Sequence, residues 1–209
     1  MIIAVDGPTA SGKGTIAKAL AEHYGLPHLD TGLLYRAVGF HTITMGGNPD
    51  KEGDALAACG FPDHLLLDSE LRSEASGGLA SRVSVHPQVR QELFDHQRTF
   101  ATQDGGAVLD GRDIGTVIAP DADIKLFVTA STEERAARRF AEMRDAGRDV
   151  SLDAILADLE ARDERDRGRD AAPLVQADDA FVLDTSEMGR QDAIDMAIAY
   201  VRNQIDRRA

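Results

Sequence analysis

Gly7, Pro8, Thr9, Ala10, Ser11, Gly12, Lys13, Gly14 and Thr15 follow directly on an apolar run of Ile2, Ile3, Ala4 and Val5, and they open a segment of helical period. A glycine-rich loop between a strand and a helix is the setting of a nucleotide phosphate site. The glycines let backbone N–H groups curl inward onto phosphate oxygens, the helix start adds positive potential, and Lys13 is in register to reach the β- and γ-phosphates. In the general form of this loop a Ser or Thr follows the lysine and holds Mg²⁺, but Gly14 takes that place and has no hydroxyl. The metal would then rest on phosphate oxygens and waters, with a carboxylate orienting the waters. Asp110, at the C-terminal end of the third apolar run, is the candidate, although a strand-end Asp also serves turns. Thr15 could turn its hydroxyl to the α-phosphate.

The second reactant is read from the arginines. An alcohol acceptor needs a carboxylate to take its proton, whereas an acceptor phosphate, with a second pKa of about 6, is already a nucleophile at neutral pH. Arginine forks fit phosphate oxygens two bonds at a time. Arg36 and Arg112 stand beside expected strand ends, and nine of the nineteen arginines gather between Arg135 and Arg169, interleaved with acids. Single surface arginines are commonly no more than solvated charges, so it is the gathering that favours a phosphate acceptor.

These side chains need a frame. Short apolar runs at 2–5, 27–29, 107–109, 124–128 and 181–183 alternate with longer segments of helical period, which predicts an α/β fold with a five-stranded parallel sheet covered by helices. Ile16, Ala19, Leu20 and Tyr24 mark one helical stripe stopped by Gly25; Val89, Leu93, Gln97 and Phe100 mark another; Ile194, Ala197, Ile198 and Val201 mark the last. Ser131 with Glu134 reads as a capping box opening a helix that Gly147 closes. The stretch of about 46–106 breaks the alternation and reads as an insertion between core strands, with helical period only in its last third.

Bulk composition narrows the ligand. With 209 residues and 43% hydrophobic content the chain has enough material for one sizeable core, hence a single domain over 1–209. A formal net charge of −13 repels nucleic acid and anionic membrane, so a bound phosphate belongs in a local basic pocket and the partner is a small anion. Cys59 is the one cysteine, which excludes an internal disulfide and a cysteine metal site. No basic leader precedes the first apolar run and no stretch is long enough to span a bilayer, so a cytoplasmic location is expected.

Three further stretches carry a resemblance to bacterial cytidylate kinases over nearly the whole chain. They are Asp30 to Arg36 (DTGLLYR), Ser81 to Arg90 (SRVSVHPQVR) with Gln97-Arg98, and Asp110 to Thr116 (DGRDIGT), joined by Arg162 to Arg169 (RDERDRGR) and Ala172 to Leu174. The third stretch differs from the Asp-Gly-Phe-Pro-Arg of an adenylate kinase. The resemblance implies a P-loop NTPase-type three-layer fold, an enlarged monophosphate-binding insertion and a mobile lid at about 148–169. It also implies transfer of the γ-phosphoryl of ATP to CMP or dCMP with Mg²⁺, using arginine clamps and no general base; separately, a monomer is expected. By position, Thr31, Ser81, Arg90 and Asp113 should surround the cytosine. Arg36, Arg112 and Arg169 should hold the acceptor phosphate, and Arg162 with Asp166 should reach the sugar or phosphate. Cytosine chemistry agrees, since its N4 amino group and its N3 and O2 acceptors call for one carboxylate and one arginine. Asp113 could equally pair with Arg112 or cap a helix, and Arg90 could be a solvated helix face.

Two features depart from that family. Thr31 stands where serine is frequent, and the insertion between Gly46 and Arg72 is short. Gly77-Gly78 fall where a helix is expected, at about 1 kcal/mol each in propensity. Two rivals remain: a P-loop kinase of a hydroxylated metabolite with Asp110 or Asp113 as base, and a nucleotide-dependent switch. An Asn-Lys-x-Asp guanine motif, which a GTPase switch would carry, is missing. His23, His28, His41, His64, His86 and His96 show no ligand spacing and are assigned surface or core roles.

Overall fold

A computed structural model describes residues 1–207. β1 (Ile2–Asp6) leads through the glycine loop into α1 (Lys13–Tyr24), then come β2 (His28–Asp30) and α2 (Thr31–Thr44). The insertion holds α3 (Glu52–Ala57), three short 3₁₀ turns between Ala58 and Arg72, α4 (Glu74–Val83) and α5 (Pro87–Ala101). β3 (Ala107–Gly111), a π-helical turn over Ile114–Ile118, β4 (Ile124–Thr129), α6 (Thr132–Asp145), α7 (Leu152–Gly168), β5 (Phe181–Asp184) and α8 (Arg190–Asp206) complete the chain.

The five strands form one parallel sheet in the order β2-β3-β1-β4-β5. β1 is central, and its residues alternate between two cores as strand pleating requires. Ile3 and Val5 pack with Ile16 and Leu20 of α1 and Ala197 and Val201 of α8, while Ala4 faces Leu109, Ile114 and Ile118 on the other side. All five expected strands are present; the central β1 and its neighbour β3 are buried on both faces, as parallel strands are, while the edge strands β2 and β5 are partly exposed. At Gly25, in the left-handed region at φ 64°, α1 stops as expected. Ser131 accepts from the Glu134 N–H and opens α6; Gly147 (φ 73°) closes it, its N–H reaching the Arg144 carbonyl while Arg148 reaches Met143. That is a Schellman end, and it turns the chain from α6 into α7.

The insertion is more helical than its sequence pattern. α4 runs straight through Gly77 and Gly78, and the packing explains the glycine. A β-carbon at Gly77 would stand 2.9 Å from Arg162 Nη1 and 3.0 Å from Arg36 Nη2. The helix gives up propensity so that two guanidinium groups can lie against its backbone. Gly77→Ala is therefore expected to raise KM for the acceptor about tenfold, because it displaces positioned cations, and to gain less stability than the about 1 kcal/mol that propensity alone would give. Thermal unfolding and steady-state kinetics on the same variant check both halves.

Candidate functional site

The C-terminal ends of β2 and β3 and the glycine loop that follows β1 open onto a cavity of about 720 Å³ walled also by α2, α4, α6 and α7. Ligands of open parallel sheets sit at strand C-termini, beside the central crossover. Among the residues expected in the site, those from Thr9 to Thr15 line this cavity, as do Thr31, Arg36, Ser81, Arg90, Asp110, Arg112, Asp113, Arg162, Asp166 and Arg169. Gly7 and Pro8 lie just behind the wall. A β-carbon on Gly7 would fall 2.0 Å from the Val128 carbonyl oxygen, so the loop can enter its curve only with glycine there. The Pro8 carbonyl accepts from Lys13 Nζ at 3.2 Å.

The loop curls through Ala10 at φ 62° and Gly12 at φ 89° into the first turn of α1, which has no side-chain cap. Its first N–H groups therefore face the cavity without an internal partner, as anion binding requires. Burial pushes the Lys13 ammonium down to about 8, and Arg112 adds to the shift while Asp110, Asp30 and Asp166 oppose it. A phosphate needs the charged form. Affinity for ATP is thus expected to be flat well below pH 8 and to fall by up to about tenfold per pH unit above it. Calorimetric titrations across that range check the sign, and Lys13→Arg, charged throughout, should flatten the profile.

Arg112 joins two sides of the cavity: its Nη2 donates to Thr9 Oγ1 at 2.7 Å and its Nε to Asp166 Oδ2 at 2.8 Å. Burial alone would push the Asp166 carboxyl up, but Arg112 and Arg169 outweigh it and hold the group below its usual range. Arg169 leans on both acids, 3.8 Å from Asp113 and 3.8 Å from Asp166, and keeps Nη2 buried without a hydrogen bond. Such an orphaned cationic donor is costly unless an anion completes it. Arg36 spends Nη1 on the Leu71 and Ser73 carbonyls, both at 2.8 Å, which leaves Nη2 toward Gly77 and Arg162.

Asp113 pairs with Arg90 Nη2 at 2.5 Å, and both are buried. The alternatives for these two residues are thereby corrected: Asp113 pairs with Arg90 rather than Arg112, and Arg90 is not a solvated face. The Arg90 guanidinium also lies 5.4 Å from the Tyr35 ring centroid, and the buried Tyr35 hydroxyl has no hydrogen-bond partner. Thr31 turns its hydroxyl to the Asp110 carbonyl at 2.8 Å, while Ser81 Oγ accepts from Arg165 Nε at 2.9 Å.

Asp110 presents one oxygen on each side. Oδ2 is held by His28 Nε2 at 2.8 Å, and Oδ1 lies 3.7 Å from where a Gly14 β-carbon would be. The free oxygen thus faces the loop position that lacks a hydroxyl, and a hard carboxylate oxygen suits a hydrated Mg²⁺. His28, outside the cavity lining, holds Asp110 from behind in a role the sequence did not single out. Its position, opposite Val108 on the adjacent strand, follows from strand pairing and carries no local sequence signal.

Several contributors were not foreseen. Asp6 takes the N–H groups of Ile114 and Gly115, each at 2.8 Å, and so fixes the turn that follows Arg112-Asp113; burial raises its carboxyl to about 7. Arg135 and Asp163 form a buried pair at 2.7 Å that joins α6 to α7, with Arg135 also donating to the Thr9 carbonyl. Arg138 donates to Thr185, whose hydroxyl reaches the Ser11 carbonyl at 3.1 Å. Glu74 pairs with Arg139 and Arg162. The mixed acid and arginine run was legible as a cluster, but which acid takes which arginine depends on helix packing.

Comparison with known proteins gives the chain's family. A family model described as cytidylate kinase matches residues 3–203. A cytidylate kinase of Caulobacter sp. (strain K31) is 55% identical over 197 residues, 94% of this chain and 91% of that one. A cytidylate kinase of Xanthobacter autotrophicus is 55% identical over 202 residues, covering 96% and 97%. Among solved structures, an uncharacterized protein from Eubacterium ventriosum aligns with TM-score 0.56 at 18% identity over 97% of this chain and 98% of its own, which is a likeness of fold. A Thermus thermophilus structure aligns at TM-score 0.50 and 24% identity over 98% and 97%.

Proposed function

This chain belongs to the cytidylate kinase family and phosphorylates CMP, and we propose that it passes the γ-phosphoryl of ATP in line to CMP or dCMP, with Mg²⁺ and without a general base. The supporting observation is the state of the carboxylates. Asp113 is engaged by Arg90 and Arg169, Asp166 by Arg112 and Arg169, and Asp110 by His28. An acceptor hydroxyl would find Asp113 and Asp166 already held by guanidinium groups and Asp110 free at only one oxygen, whereas an acceptor phosphate brings its own nucleophilic oxygen and meets guanidinium donors.

The chain's residues divide the work. The loop Gly7–Thr15, through the N–H groups of Thr9–Thr15, and the Lys13 ammonium cradle the ATP phosphates, and Thr15 takes the α-phosphate. Arg36, Arg112 and Arg169 hold the acceptor phosphate, with Arg112 reaching the P-loop through Thr9. Arg162 and Asp166 position the sugar or phosphate, and Thr31, Ser81, Arg90 and Asp113 surround the cytosine. Asp110 would orient a water of Mg²⁺, which when bound draws off negative charge from the phosphates. Catalysis is then positioning plus electrostatic stabilisation, the usual division in phosphoryl transfer. We take residues 1–209 as one catalytic unit whose insertion at about 46–106 grips the acceptor and whose lid at about 148–169 excludes water. It acts as a cytoplasmic monomer. No helix among the described residues is long and apolar enough to cross a membrane.

Release of ADP from ATP, measured with CMP, dCMP, UMP, AMP and a panel of hydroxylated metabolites, tests the assignment. Turnover should appear with the cytidine monophosphates. Faster turnover with a metabolite hydroxyl would return Asp110 or Asp113 to the role of base.

A further inference from the structure

Glu74 is a carboxylate that the phosphate chemistry leaves unassigned. It stands in the first turn of α4, directly after the Ser73 cap. Its Oε2 accepts from Arg162 Nη2 at 3.1 Å, its backbone carbonyl accepts from the same nitrogen at 3.3 Å, and Oε1 pairs with Arg139. Arg139 belongs to α6 and Arg162 to α7. One side chain of the insertion therefore ties down both helices of the arginine-rich hairpin.

The adjacent residues are tied to the acceptor side. Arg36 Nη1 donates to the carbonyls of both Leu71 and Ser73. A guanidinium held by two carbonyls cannot turn toward a phosphate without moving the segment or releasing it. That segment is the entry to α4, and Glu74 is its next residue. Around Glu74 the cations Arg36, Arg139 and Arg162 crowd together, and the closeness of Arg36 and Arg162 to the backbone at Gly77 shows how little slack the cluster has. Arg139 also pairs with Glu142 and Arg162 with Asp158, each at 2.9 Å, but those acids lie on the same helix as their partner, so Glu74 is the carboxylate that joins the two helices through their cations. The Arg162 side chain is only 5% exposed, so water screens the pairing weakly.

We propose that Glu74 is a positioning residue that couples acceptor binding to the α6–α7 hairpin, and through the lid that hairpin carries to the donor: a phosphate that engages Arg36 shifts the first turn of α4, and Glu74 passes the shift to Arg139 on α6 and Arg162 on α7. The proposal rests on Arg36 being an acceptor-phosphate clamp. Coupling in this sense requires two sites and one element that both bias, and the turn at Ser73-Glu74 is that element.

The test is calorimetric titration of CMP into the whole chain, alone and saturated with the β,γ-imido analogue of ATP, with thermal unfolding recorded for every variant. In the wild type the analogue should tighten CMP binding by about fivefold or more. Glu74→Gln, which keeps the size and an acceptor oxygen but not the charge, should bring that factor below about twofold. Glu74→Asp, charged but one methylene shorter, should fall between. An unchanged factor in folded Glu74→Gln overturns the proposal. So does equal weakening of CMP with and without the analogue, the mark of a purely structural role, and so does a wild type without tightening. Arg36→Met separates this from the underlying reading. If it binds CMP as the wild type does, Arg36 is not the clamp; if it weakens CMP while Glu74→Gln keeps the factor, only the coupling fails.

Discussion

Lys13→Met is expected to lower kcat by about 10³-fold or more while the chain keeps its fold. The lysine is buried among the loop carbonyls, its one hydrogen bond running to Pro8, and no ion pair or core contact of the sheet depends on it. Its charge is spent where the transferring phosphoryl group gathers negative charge, and a preorganised cation in a dry cavity is worth more there than in water. Burial already holds the ammonium down to about 8, so the free protein bears the cost of a cation it uses only with nucleotide bound. Methionine fills a similar volume without that cost, so stability should hold or rise. Coupled turnover with circular dichroism is the measurement, and wild-type turnover in a folded variant would end the P-loop mechanism.

Asp113→Asn is expected to lower kcat/KM for CMP and to narrow the preference over UMP. If the Asp113 carboxylate accepts from the cytosine amino group while Arg90 donates to O2 or N3, uracil turns a carbonyl toward a carboxylate with no proton between them. Leaving buried acceptors opposed costs on the order of 1 to 3 kcal/mol, and more where one is charged as here, so wild-type discrimination should be at least about tenfold and reach up to several hundredfold. Asparagine offers a donor as well as an acceptor and removes the conflict. The structure adds a second effect. Asp113 is the carboxylate partner of Arg90 and stands 3.8 Å from Arg169, all three buried, so its neutralisation leaves guanidinium charge poorly compensated and should cost about 3 kcal/mol of stability. Kinetics must therefore be compared at a temperature where unfolding scans show the variant folded. Loss of Arg90 should weaken both substrates and change their ratio less. An unchanged ratio in folded Asp113→Asn would show that Asp113 does not read the base.

The parts of this molecule that were legible in its sequence are those whose physics is local. Buried parallel strands are short continuous apolar runs, and all five could be read to within two residues of either end. The loop at Gly7 to Thr15 was legible because its glycines answer to nearby backbone: Gly12 adopts a left-handed turn that few other residues tolerate. α4 was obscured because Gly77 and Gly78 look like breakers; Arg36 and Arg162, 41 and 85 positions from Gly77, account for the first once they are brought against the helix, while nothing in the packing requires glycine at the second. The same holds for the pairs. Arg90 with Asp113, His28 with Asp110 and Arg135 with Asp163 join residues on different elements, so composition announced the charges but not their partners.

The place of β1 in the sheet governs when this protein can first act. Its two neighbours are β3 and β4, so Ile3 waits for Val108 on one side and Ile124 on the other, and the slot that receives Gly7 is completed by the carbonyl of Val128. Pairings of such sequence separation form late, after much loop entropy has been lost. On the ribosome the first residues to emerge are those that must wait longest, with an apolar strand unpaired while more than a hundred further residues are made. A nascent chain stalled before β4 should hold α1 and α2 but no nucleotide, and would present Ile2 to Val5 to chaperones instead.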